Sequence, residues 1–596
     1  RTGEGIVIHR VIIIEGNAVT LMGDGNLYKT ESCLREDIIA VATRIVRRGK
    51  EIDPECFMER FKSRIWMVAR PLIWLWKSAK GWRRAILLDA FAGCVRVCAT
   101  LAFIWSSKAL IDIATGAGKG SGPVLAGVMA GCMVLQLLLS NFRVKISARN
   151  EIGLRNSLKH KIFSHIMESR WTGRNFLHTG DVMNRIEEDV ASVSSMICLS
   201  IPSALVTAFQ LCGALWILAG MDWKLAAILF AIMPVAVLLS KGFVRKMRGL
   251  TSDIRRSDSL VQSHIQENIQ HRTLISALEY TSRSTDELNS LQEGLQKKIL
   301  DRTDYSIFSR TMVQAGFSGG YLFVMLRGIK GLAAGTVSFG EMAAFLQLVS
   351  MVQRPVVDLS RQIPAFARTL SSVERLCELT GMPLEEQGEP IRLNGVPGIR
   401  FSNVTFSYPD GCEPVLKNFT YDFRPGSITS VTGETGAGKS TMVRLALALL
   451  SPDEGSVTIY DGEKEAAASP LTRCNITYVP QGNSLISGTI RENLLLGNPN
   501  ADEAEMKEAL HNAAADFIQE LPLGLDTVCG ESGTGLSEGQ AQRIAIARGL
   551  LRGGRIMLLD EPASALDNAT EAILMERLKE GAAGRTIIMI THREGA

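Results

Sequence analysis

GETGAGKST, Gly433 to Thr441, is the stretch whose reading decides the fold. Before it, SITSV (427–431) has the length and β-branched content of a strand; after it, MVRLALALL (442–450) reads as a helix. A glycine-rich turn between strand and helix lets backbone N–H groups turn inward around phosphate oxygens. The helix start adds the positive end of its dipole. The phosphate-binding residues expected from this loop are Gly433, Glu434, Thr435, Gly436, Ala437, Gly438, Lys439, Ser440 and Thr441. Lys439 should reach the β- and γ-phosphates, and Ser440 should ligate Mg²⁺.

Working outward, RIMLLDEP (555–562) is an apolar run ending in two acids. Asp560 at the tip of such a strand can hold Mg²⁺, directly or through water, and Glu561 can polarise an attacking water as general base. An apolar run ending in Asp-Glu is weak alone; downstream of a P-loop in one domain it is strong. LSEGQ (536–540), followed by AQRIAIARGLL, reads as a polar N-cap with glycine ahead of a helix, which is either a second anion site or a capped helix and nothing more. From Ile399 onward strands and helices alternate, as in a soluble α/β domain.

The rest of the chain is of a different kind. The whole chain has 596 residues, too many for one core, so three or four domains are expected. Hydrophobic residues make up 46%, mean hydropathy is +0.13, and a net charge of +4 gives no case for binding nucleic acid. The 11 cysteines form no CxxC pair, and Cys94, Cys98, Cys132, Cys198 and Cys212 lie in apolar runs. Buried free thiols fit better than a disulfide framework. Six stretches have the length a bilayer core requires: 85–112, 123–146, 196–220, 223–247, 307–330 and 339–361. Basic residues orient them with both chain ends cytoplasmic: Arg83 and Arg84; Arg143, Lys145 and Arg149; Lys241, Arg245, Lys246 and Arg248; Arg354 and Arg361. Arg327 and Lys330 run against that rule. The polar segments 147–195 and 248–305 are helical in character and read as spans prolonged into the cytoplasm. Residues 57–84 interleave Trp66, Trp74, Trp76 and Trp82 with basic residues, as a helix lying on a membrane surface does.

With these motifs in place, residues 399–596 resemble the nucleotide-binding domain of ATP-binding-cassette (ABC) transporters, in that family's motif order. The resemblance implies ATP as substrate. It places Tyr408 of FSYP on the adenine, and makes Gln481 of YVPQ the Mg²⁺- and water-sensing glutamine. It makes LSEGQ the signature sequence, with Glu538 where glycine is commonest; Ser537, Glu538, Gly539 and Gln540 would then meet ATP held by a partner's P-loop. Asp567 of SALD falls at the loop that communicates across the dimer, and His592 of ITHR at the switch histidine contacting the γ-phosphate. Ser440, Gln481 and Asp560 become the Mg²⁺ set, and Glu561, His592 and Gln481 the catalytic set. The membrane half is similar to the six-span domain of ABC exporters: GRNFLHTGDVMNRIEEDV (173–190) looks like the first cytoplasmic coupling region, and GTVSFGEM (335–342) like the start of the last span. Such a chain is half a transporter. Its intact catalytic positions imply a homodimer, or the active half of a heterodimer.

The opening residues carry a second resemblance. IVIHRV and LMGDGN (6–11 and 21–26) read as two strands and a polar turn. They resemble the last two boxes of signal-peptidase-like serine peptidases, with His9 as the base and Asp24 orienting it. No serine precedes His9, so the segment is the tail of such a domain or a plain hairpin, inert alone. The chain starts at Arg1 and stops soon after His592, and truncation at both ends is expected. Peptidase fusion would imply a peptide cargo cleaved from a leader.

Two further sets of residues stand apart from these motifs. Arg96 lies mid-span with Asp89 two turns earlier, either an internal pair or a charge lining the cavity. His160, His165, His178, His264 and His271 make no metal set and read as surface residues.

The expected architecture is therefore mixed: a β-rich segment (1–45), a linker with a basic, Trp-rich helix (46–84), an all-α six-helix transmembrane domain (85–379), a linker (380–398) and an α/β P-loop ATPase domain (399–596). The expected protein is a multi-pass exporter of the cytoplasmic (inner) membrane, in contact with lipid, with its nucleotide-binding domain in the cytoplasm. ATP and Mg²⁺ are its cofactors. Its partners are a second half-transporter and an unidentified cargo, peptide or else lipid or drug, with no nucleic acid. An importer on the same fold, or a processing peptidase to which transport is secondary, are the rival readings.

Overall fold

The computed structural model describes residues 10–15, 18–22, 31–34, 45–47, 50–52, 73–170, 179–408, 413–434, 436–530, 535–581 and 584–591. His9, Asp24, Thr435, His178 and His592 lie outside them. Two compact units are present: Arg44–Lys161 with Asn184–Cys377, and Arg1–Thr43 with Ile162–Met183 and Glu378–Ala596.

At the N-terminus, β1 (Arg10–Glu15), β2 (Ala18–Met22) and β3 (Glu31–Leu34) form an antiparallel sheet, with Glu15 opposite Ala18. A separate hairpin pairs β4 (Ile45–Arg47) with β5 (Lys50–Ile52).

The membrane-spanning unit is built from long helices: α1 (Arg83–Ala114), α2 (Gly122–Glu168), α3 (Ile201–Met221), α4 (Trp223–Gln270), α5 (Thr281–Ala333) and α6 (Phe339–Thr380). All six expected spans fall on helices. Among the described residues, three helical stretches are long and apolar enough by themselves to cross a bilayer: Arg83–Ala114, Gly122–Glu168 and Gly180–Met221. The polar segments prolong helices as expected, α2 running on to Glu168 and α4 to Gln270. Leading into α3, residues 179–200 are helical but wound as π-helix at Arg185–Asp189 and Met196–Ser200.

A shared apolar cluster holds α1, α3, α5 and α6 together: Ile104, Ala214, Leu218, Val324, Leu348, Val349 and Val352. Large apolar side chains on the other faces stay exposed, Trp216 at 81% and Val144 at 69%, as lipid-facing residues must be. Asp89 (2% exposed) receives Arg143 Nε at 3.0 Å, so its partner is on α2 and not Arg96 two turns along α1, which corrects the pairing read from spacing. Arg96 instead keeps its Nε buried without an acceptor. Arg327, which opposed the charge rule, bonds Asp222 at 3.0 Å.

In the other unit, β6 (Gly398–Phe406), β7 (Leu416–Phe423), β9 (Glu454–Tyr460) and β10 (Glu465–Ala467) form an antiparallel sheet. The central sheet is parallel, in the order β11 (Ile476–Val479), β12 (Ile556–Asp560), β13 (Thr586–Ile590), β8 (Ile428–Val431). Alternate residues of its buried strands feed two cores. Ile556, Leu558, Ile588 and Ile590 pack with Phe401, Val443 and Leu445; Met557, Leu559, Ile587 and Met589 pack with Ile544, Ile546 and Leu510. A strand buried on both faces needs apolar residues throughout, which is why IMLL and TIIMI show no alternation.

Candidate nucleotide site

The helix that follows the P-loop, α7 (Lys439–Ala446), is shorter than the sequence suggested; MVRLALALL is helical only to Ala446. Ala448 takes a left-handed φ of 49°, and Arg473 explains the stop. Its guanidinium donates to the carbonyls of Leu447 at 2.6 Å and Ala448 at 2.9 Å, and grips Glu385 bidentately at 2.7 and 2.8 Å. These carbonyls belong to the helix end and would otherwise want water or another turn.

At the other end of α7, Gly436 (φ 90°) and Gly438 (φ 91°) adopt conformations that side chains resist. A Cβ on Gly438 would come within 3.0 Å of Leu416. Gly438 is the N-cap, and no side chain caps α7. Its first-turn N–H groups therefore face the loop with no side-chain acceptor, which is the condition under which a helix start takes a phosphate. Lys439 Nζ lies over the same loop, donating to the carbonyls of Gly433 and Glu434. Ser440 is exposed in the first turn; Thr441 is buried.

Strand register brings the remaining groups to this edge. Asp560 pairs with Ile590, and Ile590 with Val431, the last residue before the P-loop strand turns into its loop. Val479 pairs with Leu559, so Gln481 leaves the sheet at the same level. Carboxyl ends of parallel strands are where α/β sheets bind ligands. There Gln481 Nε2 donates to Glu561 Oε2 at 2.7 Å. Glu561 has φ 50°, held by its N–H on the Ile590 carbonyl at 3.0 Å and its own carbonyl accepting from Ser564 at 3.3 Å. Left-handed backbone at a non-glycine residue is strained, and such strain clusters at active sites. Asp560 is 5% exposed. Burial, and secondarily Asp560, push the nearby Tyr478 phenol up to about 12. Thr591 continues the edge, its N–H on the Val431 carbonyl at 3.2 Å.

Tyr408 sits on the P-loop helix. Its hydroxyl is 3.2 Å from Thr441 Oγ1 and receives Arg444 at 3.0 Å, and its ring packs edge-on against Phe406. Arg444 was not singled out from sequence, because a mid-helix arginine carries no signal by itself.

The LSEGQ segment opens α8 (Glu538–Leu551). Ser537 and Gln540 form a capping box: Ser537 Oγ accepts from the Gln540 N–H at 3.2 Å, and Gln540 Oε1 accepts from the Ser537 N–H at 2.9 Å. Gly539 has a packing duty too, since a Cβ there would lie 2.6 Å from the Ala565 carbonyl oxygen. Glu538 is exposed. Asp567 caps α9 (Asn568–Glu580) through Thr570, at 2.7 Å to its hydroxyl and 3.1 Å to its N–H. Those two bonds, the hydroxyl first, hold its carboxyl below the usual range. The site residues of the P-loop, Gln481, Asp560 and Glu561 thus share one sheet edge, while Ser537–Gln540 and Asp567 start two other helices. Among the histidines, His165 and His264 are half-buried with carbonyl partners at 3.0 and 3.1 Å, rather than surface residues. No metal-ligand cluster of His, Cys, Asp or Glu occurs among the described residues.

A helical transmembrane domain joined to a nucleotide-binding α/β domain defines an ATP-driven membrane transporter. Family models agree: residues 86–356 match the ABC transporter transmembrane region, and residues 416–564 match the ABC transporter family. An uncharacterised ABC transporter ATP-binding protein from Sinorhizobium fredii is 30% identical over 442 residues, 73% of this chain and 75% of the relative. An ATP-dependent lipid A-core flippase from Desulfotalea psychrophila is 29% identical over 439 residues, 73% of this chain and 76% of the relative. In fold the chain is similar to a bacterial Atm1-family ABC exporter with ATP bound, at a TM-score of 0.72 and 24% identity, covering 86% of this chain and 91% of that one. The chain belongs to the ABC transporter family. It is a membrane-integral protein with the fold of an ABC exporter, and an ATPase coupled to transport.

Proposed function

We propose that the chain is one half of an exporter in which two copies close head to tail over ATP, and that hydrolysis resets the membrane domain. The observation that carries this reading is the Gln481–Glu561 hydrogen bond at the sheet edge that also bears the P-loop. Lys439 and the α7 amides bind the β- and γ-phosphates. Glu561 takes a proton from the attacking water as its oxygen bonds to the γ-phosphorus and the bond to the ADP oxygen breaks. Gln481 aims the Glu561 carboxylate, and His592 contacts the γ-phosphate. Ser440, Gln481 and Asp560 would hold Mg²⁺, which neutralises charge on the transferring phosphoryl group. Tyr408 stacks on adenine; Ser537, Glu538, Gly539 and Gln540 of one copy complete the pocket of the other, and Asp567 lies at their seam. Closure acts on the coupling region around 173–190 and turns the spans outward. The domain boundaries proposed are 1–45, 46–84, 85–379, 380–398 and 399–596, in the cytoplasmic membrane with the ATPase domain inside the cell.

Cargo is a separate question. The N-terminal resemblance favours a peptide, with His9 and Asp24 as the trace of a peptidase; the flippase relative favours a lipid. The test is ATP hydrolysis by the full chain in lipid nanodiscs, bare and with each cargo class. Lys439→Ala should abolish hydrolysis and Glu561→Gln should nearly abolish it while retaining ATP binding. Undiminished turnover in Glu561→Gln overturns the assigned base; stimulation by peptide or by lipid decides the cargo.

A further inference from the structure

We propose that the membrane-spanning unit carries an anion-binding vestibule, walled by the π-wound lead-in to α3, by α4 and by the last turns of α6, that takes a phosphate or carboxylate group. A cavity of about 510 Å³ lies between these elements, and Met196 and Ala365 are its apolar lining residues. Three arginines face it: Arg255, Arg368 and Arg375. Arg375 is engaged, its Nε donating to Asp189 at 2.7 Å. Arg255 and Arg368 are exposed and have no carboxylate partner among the described residues. Glu188 also reaches the lining, which leaves an excess of one positive charge.

Hydroxyls complete the wall. Ser192 and Thr369 touch at 3.1 Å, and Ser195, Ser200 and Ser372 border the same space. Guanidinium groups supplemented by hydroxyl donors are the chemistry that holds phosphate and carboxylate oxygens. Such a wall gives nothing to an acyl chain. A second observation points the same way. Both π-helical turns, Arg185–Asp189 and Met196–Ser200, contribute lining residues, and π-turns inside helices are rare and concentrate at functional sites. They re-aim the side chains that a regular helix would place elsewhere. A guanidinium pair without counter-ions beside a polar cavity is what a ligand anion would neutralise. The ligand is a phosphate- or carboxylate-bearing molecule, which a lipid headgroup or a soluble anion could each supply.

The test is equilibrium binding of radiolabelled dodecyl phosphate to the full chain in phosphatidylcholine nanodiscs. A Lys439→Ala background removes the P-loop's own claim on phosphate. Binding should weaken by about tenfold or more in Arg255→Gln/Arg368→Gln and persist in Arg255→Lys/Arg368→Lys, which keeps the charge. Basal ATP hydrolysis, measured with Lys439 restored, should be unchanged in the glutamine pair. Competition by inorganic phosphate identifies a soluble source, and competition by phosphatidic acid in the nanodisc a lipid source; either sustains the site. Equal binding in the glutamine variant, or equal displacement by dodecyl maltoside, overturns it. Binding does not depend on hydrolysis, so a chain that binds dodecyl phosphate yet never cleaves ATP refutes the exporter reading and leaves the vestibule standing.

Discussion

In the proposed mechanism the chemistry turns on Glu561, whose geometry is unusual for its type. A glutamate at φ 50° is strained, and the sheet edge supplies the bonds that keep it there. Gln481 then fixes the carboxylate. Gln481→Ala should lower kcat by about 10²-fold, because the base loses its aim and the Mg²⁺ set loses a member; an unchanged kcat would contradict both roles. Asp567 offers a titration. Its folded pKa lies below the ordinary carboxylate value, so its cap contributes fully above about pH 4 and is lost as pH falls through the lower folded value. Thermal melts of the full chain from neutral to acid pH should show Asp567→Asn destabilised at neutral pH, with the gap to wild type closing on acidification.

Among elements, α7 is the one whose two ends were unequally legible. Its start was readable because glycine, lysine and serine in that spacing have one good use; its stop was not. The stop depends on Arg473, remote in sequence, capturing the carbonyls of Leu447 and Ala448 while Glu385 holds the arginine in place. Asp89 teaches the same lesson. Spacing on one helix pointed to Arg96, but the partner came from α2, and a contact between helices leaves no mark in local periodicity. Motif residues are legible because their chemistry is local, whereas pairings across elements are decided by packing. Arg473→Ala should cost about 2 kcal/mol, since it leaves Glu385 and two helix-end carbonyls without their donor. A calorimetric melt shift of the nucleotide-binding unit checks this, and a Tm equal to wild type would show that water replaces the guanidinium.

For the whole molecule, the proposed split site makes a prediction that no single copy can satisfy. Lys439→Ala spoils a P-loop and Ser537→Arg spoils a signature, so each should be inactive alone. Co-reconstituted in equal amounts, a mixed pair holds one sound P-loop facing one sound signature. Random pairing then restores roughly a quarter of wild-type hydrolysis. No recovery would mean that each copy works by itself.

The same clasp that ends α7 also touches the foot of α2. Glu385 gives its N–H to the Glu168 carbonyl at 2.9 Å, Arg170 gives its N–H to Pro383 at 2.8 Å, and the chain is next pinned where Ile391 meets Leu471 at 2.9 Å. Slack added at 386–390 would sit between two fixed points and pull on neither, so extra Gly-Ser there should pass unnoticed in hydrolysis and transport alike. The same insertion after Thr380, ahead of the 3.0 Å contact between His165 and the Met382 carbonyl, would lengthen the tether before its first anchor, and export should fall away while ATP is still consumed.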